Sequence, residues 1–148
     1  MMLAQKGVGK GSILIVNAAS VLIEELGKKG AEKVKVRYLI DERHGSERFA
    51  LRLYTVEKGG HTPLDQHEYE HQVYVLSGQG LLKQSNDSVA PRQRLRSGDT
   101  LFIPSNAVHS FINERGEPFV FLCVKGSPTL YALGEKNASS DDSTRNFC

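Results

Sequence analysis

Four of the five histidines in this 148-residue sequence fall in two short stretches, residues 59–78 and 98–113. In each stretch, turn residues come before the imidazoles and an apolar, β-forming run comes after them. Imidazoles that a rigid sheet brings together are a common way to bind a transition metal. The spacing therefore predicts a metal centre built from both stretches, with candidate residues His61, His67, His71 and His109.

Residues 67–71 also spell His-Glu-x-x-His. On a helix, that motif places two zinc ligands one turn apart and makes Glu68 the general base of a metalloprotease. Asp65 would cap such a helix and Gly78 would end it. A strand explains more of the sequence, because the residues that follow are β-formers. In an extended chain Asp65 and both histidines are an even number of residues apart and share one face.

Short alternating runs separated by glycine, proline or asparagine predict an all-β domain, a sandwich or barrel. The predicted strands cover residues 12–16, 34–40, 49–56, 73–76, 81–83, 100–103, 110–112 and 119–124. Residues 18–26 are predicted to form a short helix, because their apolar side chains fall on one side of a helical turn.

The composition excludes several classes of function. With 19 basic and 17 acidic side chains and no basic block, we expect no nucleic-acid binding. The longest apolar runs are far too short to cross a membrane, and the first residues lack the apolar region of a signal peptide. Two cysteines, Cys123 and Cys148, do not make a disulfide framework. A reducing cytoplasm is therefore the expected location.

The first histidine stretch resembles the first motif of the cupin superfamily, G(X)5HXH(X)3-4E(X)6G. Gly59 supplies the opening glycine and Gly78 the closing one. Asp65 takes the place of the first histidine, His67 is the second, and His71 takes the place of the glutamate.

The second stretch resembles the second cupin motif, G(X)5PXG(X)2H(X)3N, without insertion. Its residues are Gly98, Pro104, Asn106 in place of glycine, His109 and Asn113. Asn106 is expected to adopt the left-handed conformation that glycine would take there. Asn113 is expected to tie backbone at a strand end.

The resemblance is to small single-domain cupins and covers residues 34–125. It implies a double-stranded antiparallel jelly-roll β-barrel, with an N-terminal extension (residues 1–33) and a polar C-terminal tail (residues 126–148). It also implies one divalent transition metal, held by His67, His71, His109 and Asp65. Iron or manganese is favoured, and nickel or zinc also suits these ligands. If Asp65 is too short to reach the metal, a three-histidine site with more open positions remains.

The lining of the pocket follows from strand alternation around these ligands. Phe111 shares the side of His109, and Phe121 alternates together with Cys123. Arg52 either reaches the substrate or lies in an oligomer interface, and Cys123 is either a pocket residue or a small buried apolar one. His61 is either a residue at the mouth of the barrel or a solvated turn histidine, with a spare metal ligand as the alternative.

The resemblance implies a metal-dependent enzyme acting on a small organic molecule, an oxygenase or related oxidoreductase. Isomerase and lyase activities also occur among similar proteins. The second hypothesis is a non-catalytic module that binds a small ligand, because no general base stands apart from the candidate ligands, and no catalytic residue is assigned. A homodimer is expected, since the edge strands of a jelly roll need covering, and residues 12–40 are the candidates for that contact.

Overall fold

The computed structural model describes residues 11–114 and 116–127. They form nine strands: β1 (Glu24–Glu25), β2 (Glu32–Ile40), β3 (Phe49–His61), β4 (His71–Ser77), β5 (Gln79–Lys83), β6 (Gln93–Arg96), β7 (Thr100–Ile103), β8 (Ser110–Ile112) and β9 (Phe119–Gly126). Two short 3-10 turns, Ala18–Ser20 and Glu42–His44, are the only helical segments in this part of the chain. Neither has the length or apolar character of a membrane-spanning helix.

Every strand pairing is antiparallel, and the sheet curls into the predicted all-β jelly roll. Seven strands follow the order β6-β5-β8-β3-β9-β4-β7, and β2 pairs with both β3 and β1. The central strand β9 therefore has β3 on one side and β4 on the other. This order matters for function, because it brings the first histidine stretch beside the last strand.

Two predictions about the N-terminal region are wrong. Residues 12–16 form no strand, because no described strand pairs with them, and Ile13 and Ile15 are 89% and 85% exposed. Residues 18–26 form no α-helix. Asn17 caps a single 3-10 turn by accepting a hydrogen bond from the Ala19 amide, and β1 then pairs with β2. The predicted tail, residues 126–148, lies outside the described residues except for its first two.

The inward faces of the strands divide the barrel into an apolar part and a polar part. The apolar part contains Val34, Val36, Tyr54, Val56, Val73, Val75, Leu95, Ile103, Phe111, Phe119, Phe121 and Cys123. Alternation along β9 places Lys125 on the same inward face, beyond Cys123. On β3 the buried face carries Arg52, whereas Phe49 on the opposite face is 55% exposed. Arg52 pairs with Cys123 and His71 pairs with Lys125, so the two buried basic side chains lie close to His71 in the register of β3, β9 and β4.

Two motif residues take the left-handed conformation that their positions require. Gly78 has a φ of 77°, and a side chain there would collide with the carbonyl oxygen of Pro118. Asn106 has a φ of 64°, which confirms the conformation predicted for it. Gly78 turns the chain from β4 into β5, and Asn106 lies in the loop that connects β7 to His109.

Candidate metal centre

The two histidine loops are joined by backbone hydrogen bonds. The amide of Asp65 donates to the carbonyl of His109 at 2.9 Å, and the amide of His109 donates to the carbonyl of Asp65 at 3.0 Å. The amide of Asn106 donates to the carbonyl of His67 at 2.6 Å. These bonds hold the second loop against the first, and His109 therefore lies next to His67 and His71.

Three imidazoles come together at this point. His67, His71 and His109 are buried, and each offers one ligand atom within 4.8 Å of the others. Their ring centroids are 4.7 Å apart for His67 and His71, 5.2 Å for His67 and His109, and 5.3 Å for His71 and His109. Three buried histidines at this spacing can bind a metal ion.

The hydrogen bonding of His109 defines which ring nitrogen is available. Its Nδ1 lies 2.9 Å from the carbonyl oxygen of Ala107. Because a carbonyl oxygen only accepts, Nδ1 carries the proton and Nε2 carries the lone pair. A backbone carbonyl that orients the imidazole in this way is the usual outer partner of a metal-binding histidine.

His71 is the most deeply placed of the three. Its Nδ1 lies 3.5 Å from the Cys123 sulfur, and its Nε2 is buried with no hydrogen-bond partner among residues 11–114 and 116–127. A buried nitrogen in that condition is costly unless something binds it. Burial, helped by the neighbouring His67 and His109, holds the pKa of His71 well below its usual range, so the ring is a neutral donor.

Asp65 lies beside this cluster, but its carboxylate is not among the ligand atoms within 4.8 Å of one another. Burial raises the pKa of Asp65 to about 6, against the opposing influence of Lys28, His109 and Arg52. The structure thus groups the three histidines and leaves Asp65 next to them, which fits the three-histidine alternative. Direct ligation by Asp65 stays a prediction.

The predicted pocket residues fall into two groups. Phe111, Phe121, Cys123 and Arg52 are all buried inside the barrel, and Phe111 and Phe121 have ring centroids 4.6 Å apart. His61, at the end of β3, is exposed and its Nδ1 lies 3.3 Å from the Thr62 carbonyl. It is thus outside the group of three buried imidazoles.

Three further residues around the site did not emerge from the sequence as functional candidates. Tyr69 stacks on His67 with ring centroids 4.7 Å apart, and Lys125 places its Nζ 4.9 Å from the centre of the Tyr69 ring. Strand alternation from Cys123 could have indicated Lys125. Lys28 comes from a distant segment, and burial lowers its pKa to about 8. No local pattern marks it.

The metalloprotease interpretation of residues 67–71 does not fit the structure. Residues 67–70 form a loop and His71 begins a strand, so the helical spacing of the motif is absent. Glu68, which would be the general base, is exposed. The third imidazole of the cluster comes instead from His109, in the second motif.

Comparison with known proteins agrees with this geometry. A family model described as a Cupin domain matches residues 52–125, which is half of the chain. The chain therefore belongs to the cupin family. A search among curated proteins finds no match.

Among solved structures, the polyketide cyclase RemF from Streptomyces resistomycificus is similar, with 28% identity and a TM-score of 0.72 over 83% of this chain and 93% of that one. A cupin-2 domain from Rhodospirillum rubrum has 22% identity and a TM-score of 0.63, over 77% and 74% of the two chains. A predicted oxalate decarboxylase from Thermotoga maritima has 20% identity and a TM-score of 0.66, over 76% and 98%. The last two similarities concern the fold.

Proposed function

We propose that this cupin is a metal-dependent enzyme that binds one divalent transition metal through His67, His71 and His109 and acts on a small organic molecule. The observation that carries the proposal is the convergence of three buried imidazoles, one of which has an Nε2 with no hydrogen-bond partner in the described part of the chain. Fixed ligands of this kind, with the other ring nitrogen held by a second group, are typical of metal centres in proteins.

The donor set bears on which metal is bound. The sequence favoured iron or manganese on the assumption of three nitrogens and one carboxylate oxygen. Because the clustered ligand atoms all belong to histidines, the site supports iron, nickel or zinc, which imidazole suits, over manganese, which prefers oxygen. When bound, such a metal supplies Lewis-acid polarisation of a substrate oxygen or, if it is redox-active, electron transfer with dioxygen.

The protein itself supplies placement and exclusion of water. Hydrogen bonds between the two loops hold the imidazoles in position before substrate arrives, and Phe111 and Phe121 contribute an apolar wall to the interior. In such an interior, electrostatic interactions with a substrate are stronger than in water.

The similarity to a polyketide cyclase supports ring closure as the reaction. In such a reaction, two carbon atoms of one polycarbonyl chain are joined by an intramolecular condensation. Oxygenase activity is the second candidate. It is supported by the number of protein ligands, because three histidines leave coordination positions open for substrate and dioxygen.

The two candidates are separated by mass balance. We would load the full chain with zinc, iron(II) or nickel, add short poly-β-carbonyl acids, and follow product mass and dissolved oxygen. Ring closure with dehydration lowers the substrate mass by one water and consumes no oxygen. An oxygenase raises the mass by oxygen and consumes dioxygen.

The controls use the metal ligands. Replacing His71 by alanine should abolish both metal retention and turnover, whereas Glu68→Gln, in the exposed loop next to a ligand, should change neither. Stoichiometric metal with no turnover on any substrate would favour the non-catalytic binding module. Failure of the wild-type chain to retain any of the three metals would contradict the proposal.

A further inference from the structure

A buried arginine lies one side chain away from the metal centre. Arg52 is 1% exposed and pairs with Cys123 across β3 and β9. Its Nη2 lies 4.0 Å from the Cys123 sulfur, which in turn lies 3.5 Å from Nδ1 of His71. The guanidinium is therefore inside the barrel, and the Cys123 sulfur lies between it and the candidate metal ligand His71.

The fully buried formal charges of the barrel interior are mainly positive. Within residues 11–114 and 116–127, the buried formal cations are Arg52 and Lys125, and the buried carboxylate is Asp65. Lys28 is partly buried, and its charge and that of Arg52 both act on Asp65. Three neutral imidazoles and a divalent metal would make the interior more positive still. Such an interior attracts an anionic molecule more strongly than a neutral one.

The surface beside the guanidinium is aromatic. The Arg52 guanidinium carbon lies 5.5 Å from the centre of the Tyr54 ring, which stacks on Phe121 with centroids 5.4 Å apart. A guanidinium against an aromatic ring keeps its fork of N–H donors in a fixed plane. That arrangement matches a planar oxyanion attached to an unsaturated body.

We infer that Arg52 is the anion-binding residue of the substrate site, and that the substrate is a small organic acid or enol. Its carboxylate or enolate oxygens accept hydrogen bonds from the guanidinium, and the remainder of the molecule faces the histidine cluster. This inference rests on the proposed function for the position of the reacting centre, and it narrows the substrate to a planar organic oxyanion.

A matched pair of probes tests the inference apart from metal chemistry. Benzoate and benzamide have nearly the same shape, but only benzoate is charged at pH 7. We would titrate each into the full chain, metal-free in chelator and zinc-loaded, and follow amide chemical shifts by NMR. Wild-type protein should bind benzoate at least tenfold more tightly than benzamide in both forms.

Three variants assign the preference to one side chain. Arg52→Gln should remove the tenfold preference, and Arg52→Lys should keep part of it, because lysine retains the charge but not the fork. Arg94→Gln removes the same charge from an exposed position on β6 and should leave the preference unchanged. Arg52→Lys and the benzoate–benzamide comparison in wild type both keep the buried charge. They therefore test the role of Arg52 even if the Arg52→Gln variant does not fold.

The outcomes for substrate and metal are independent. Equal affinity of wild-type protein for benzoate and benzamide, no binding of benzoate, or an undiminished preference in a folded Arg52→Gln variant would overturn the inference. If zinc binds while any of these holds, the inference fails and the proposed function stands. If the benzoate preference depends on Arg52 but no metal binds, the anion site stands and the proposed metal enzyme fails.

Discussion

Replacement of Asp65 by asparagine should make the metal-free protein more stable at neutral pH and remove a pH-dependent loss of stability. Burial raises the pKa of Asp65 from 3.8 to about 6. A carboxyl group with a raised pKa contributes stability fully below pH 3.8 and loses that contribution as the pH rises through about 6. At 1.36 kcal/mol per pH unit, the loss amounts to about 3 kcal/mol by pH 7 to 8.

Asparagine keeps the shape of the side chain and stays neutral, and the backbone bonds to His109 are unaffected by the change. The free energy of unfolding of Asp65→Asn minus that of wild type should therefore be near zero at pH 4 and rise to as much as about 3 kcal/mol at pH 8. The assay is urea unfolding in chelator at several pH values. Asp87→Asn, at an exposed turn, controls for the loss of one formal charge.

A difference between Asp65→Asn and wild type that stays constant from pH 4 to pH 8 would refute this reasoning. The same variant tests ligation. Since the carboxylate lies outside the cluster of ligand atoms, zinc affinity should fall by no more than about 100-fold, the upper end for a group beside the ligands. A larger loss would show that Asp65 is a ligand after all.

Three other predictions concern the metal, the fold and the assembly. Structural zinc sites with four ligands bind zinc with a free energy of about 10–16 kcal/mol, or about 3 kcal/mol per ligand. His109→Ala should therefore weaken zinc binding about 100-fold or more in competition titrations. The control variant Glu68→Gln should stay within about twofold of wild type. Asn113 donates from Nδ2 to the carbonyls of Val56 at 3.0 Å and Glu117 at 2.9 Å, so Asn113→Ala should cost about 2–3 kcal/mol in urea unfolding; a loss below 0.5 kcal/mol would contradict this role. We propose that exposed residues 13 and 15 contribute to a homodimer, so changing both isoleucines to serine should convert a dimer to a monomer by sedimentation, whereas a wild-type monomer at micromolar concentration would count against the dimer.

The second motif was predictable from the sequence because its residues satisfy requirements of the nearby backbone, namely a left-handed turn and hydrogen bonds to carbonyl groups. Asn106 is there because the turn needs a positive φ. Asn113, just after β8, donates to the carbonyl of Val56 on β3 and to that of Glu117 before β9, and both expectations are confirmed. The strands around the motif were also predictable, since alternation reports directly which side chains face inward.

Features that depend on distant partners could not be predicted in the same way. The apolar composition of residues 12–16 favours a strand, but a strand also requires a neighbour to pair with, which composition does not show. The position of the Asp65 side chain depends on the backbone bridge between Asp65 and His109. Lys28, which acts to lower the pKa of Asp65, belongs to a segment that is distant in the sequence. Spacing within a motif contains neither kind of information.

The hydrogen bonds that join the two histidine loops have a consequence for metal exchange. Because the amide of Asn106 and the paired backbones of Asp65 and His109 hold both loops together, the three imidazoles are preorganised without an ion. Uptake of a metal ion would then require little ordering of the chain, and each candidate ion would meet the same arrangement of three imidazoles. Selection among them falls to ligand chemistry and to the supply in the cell.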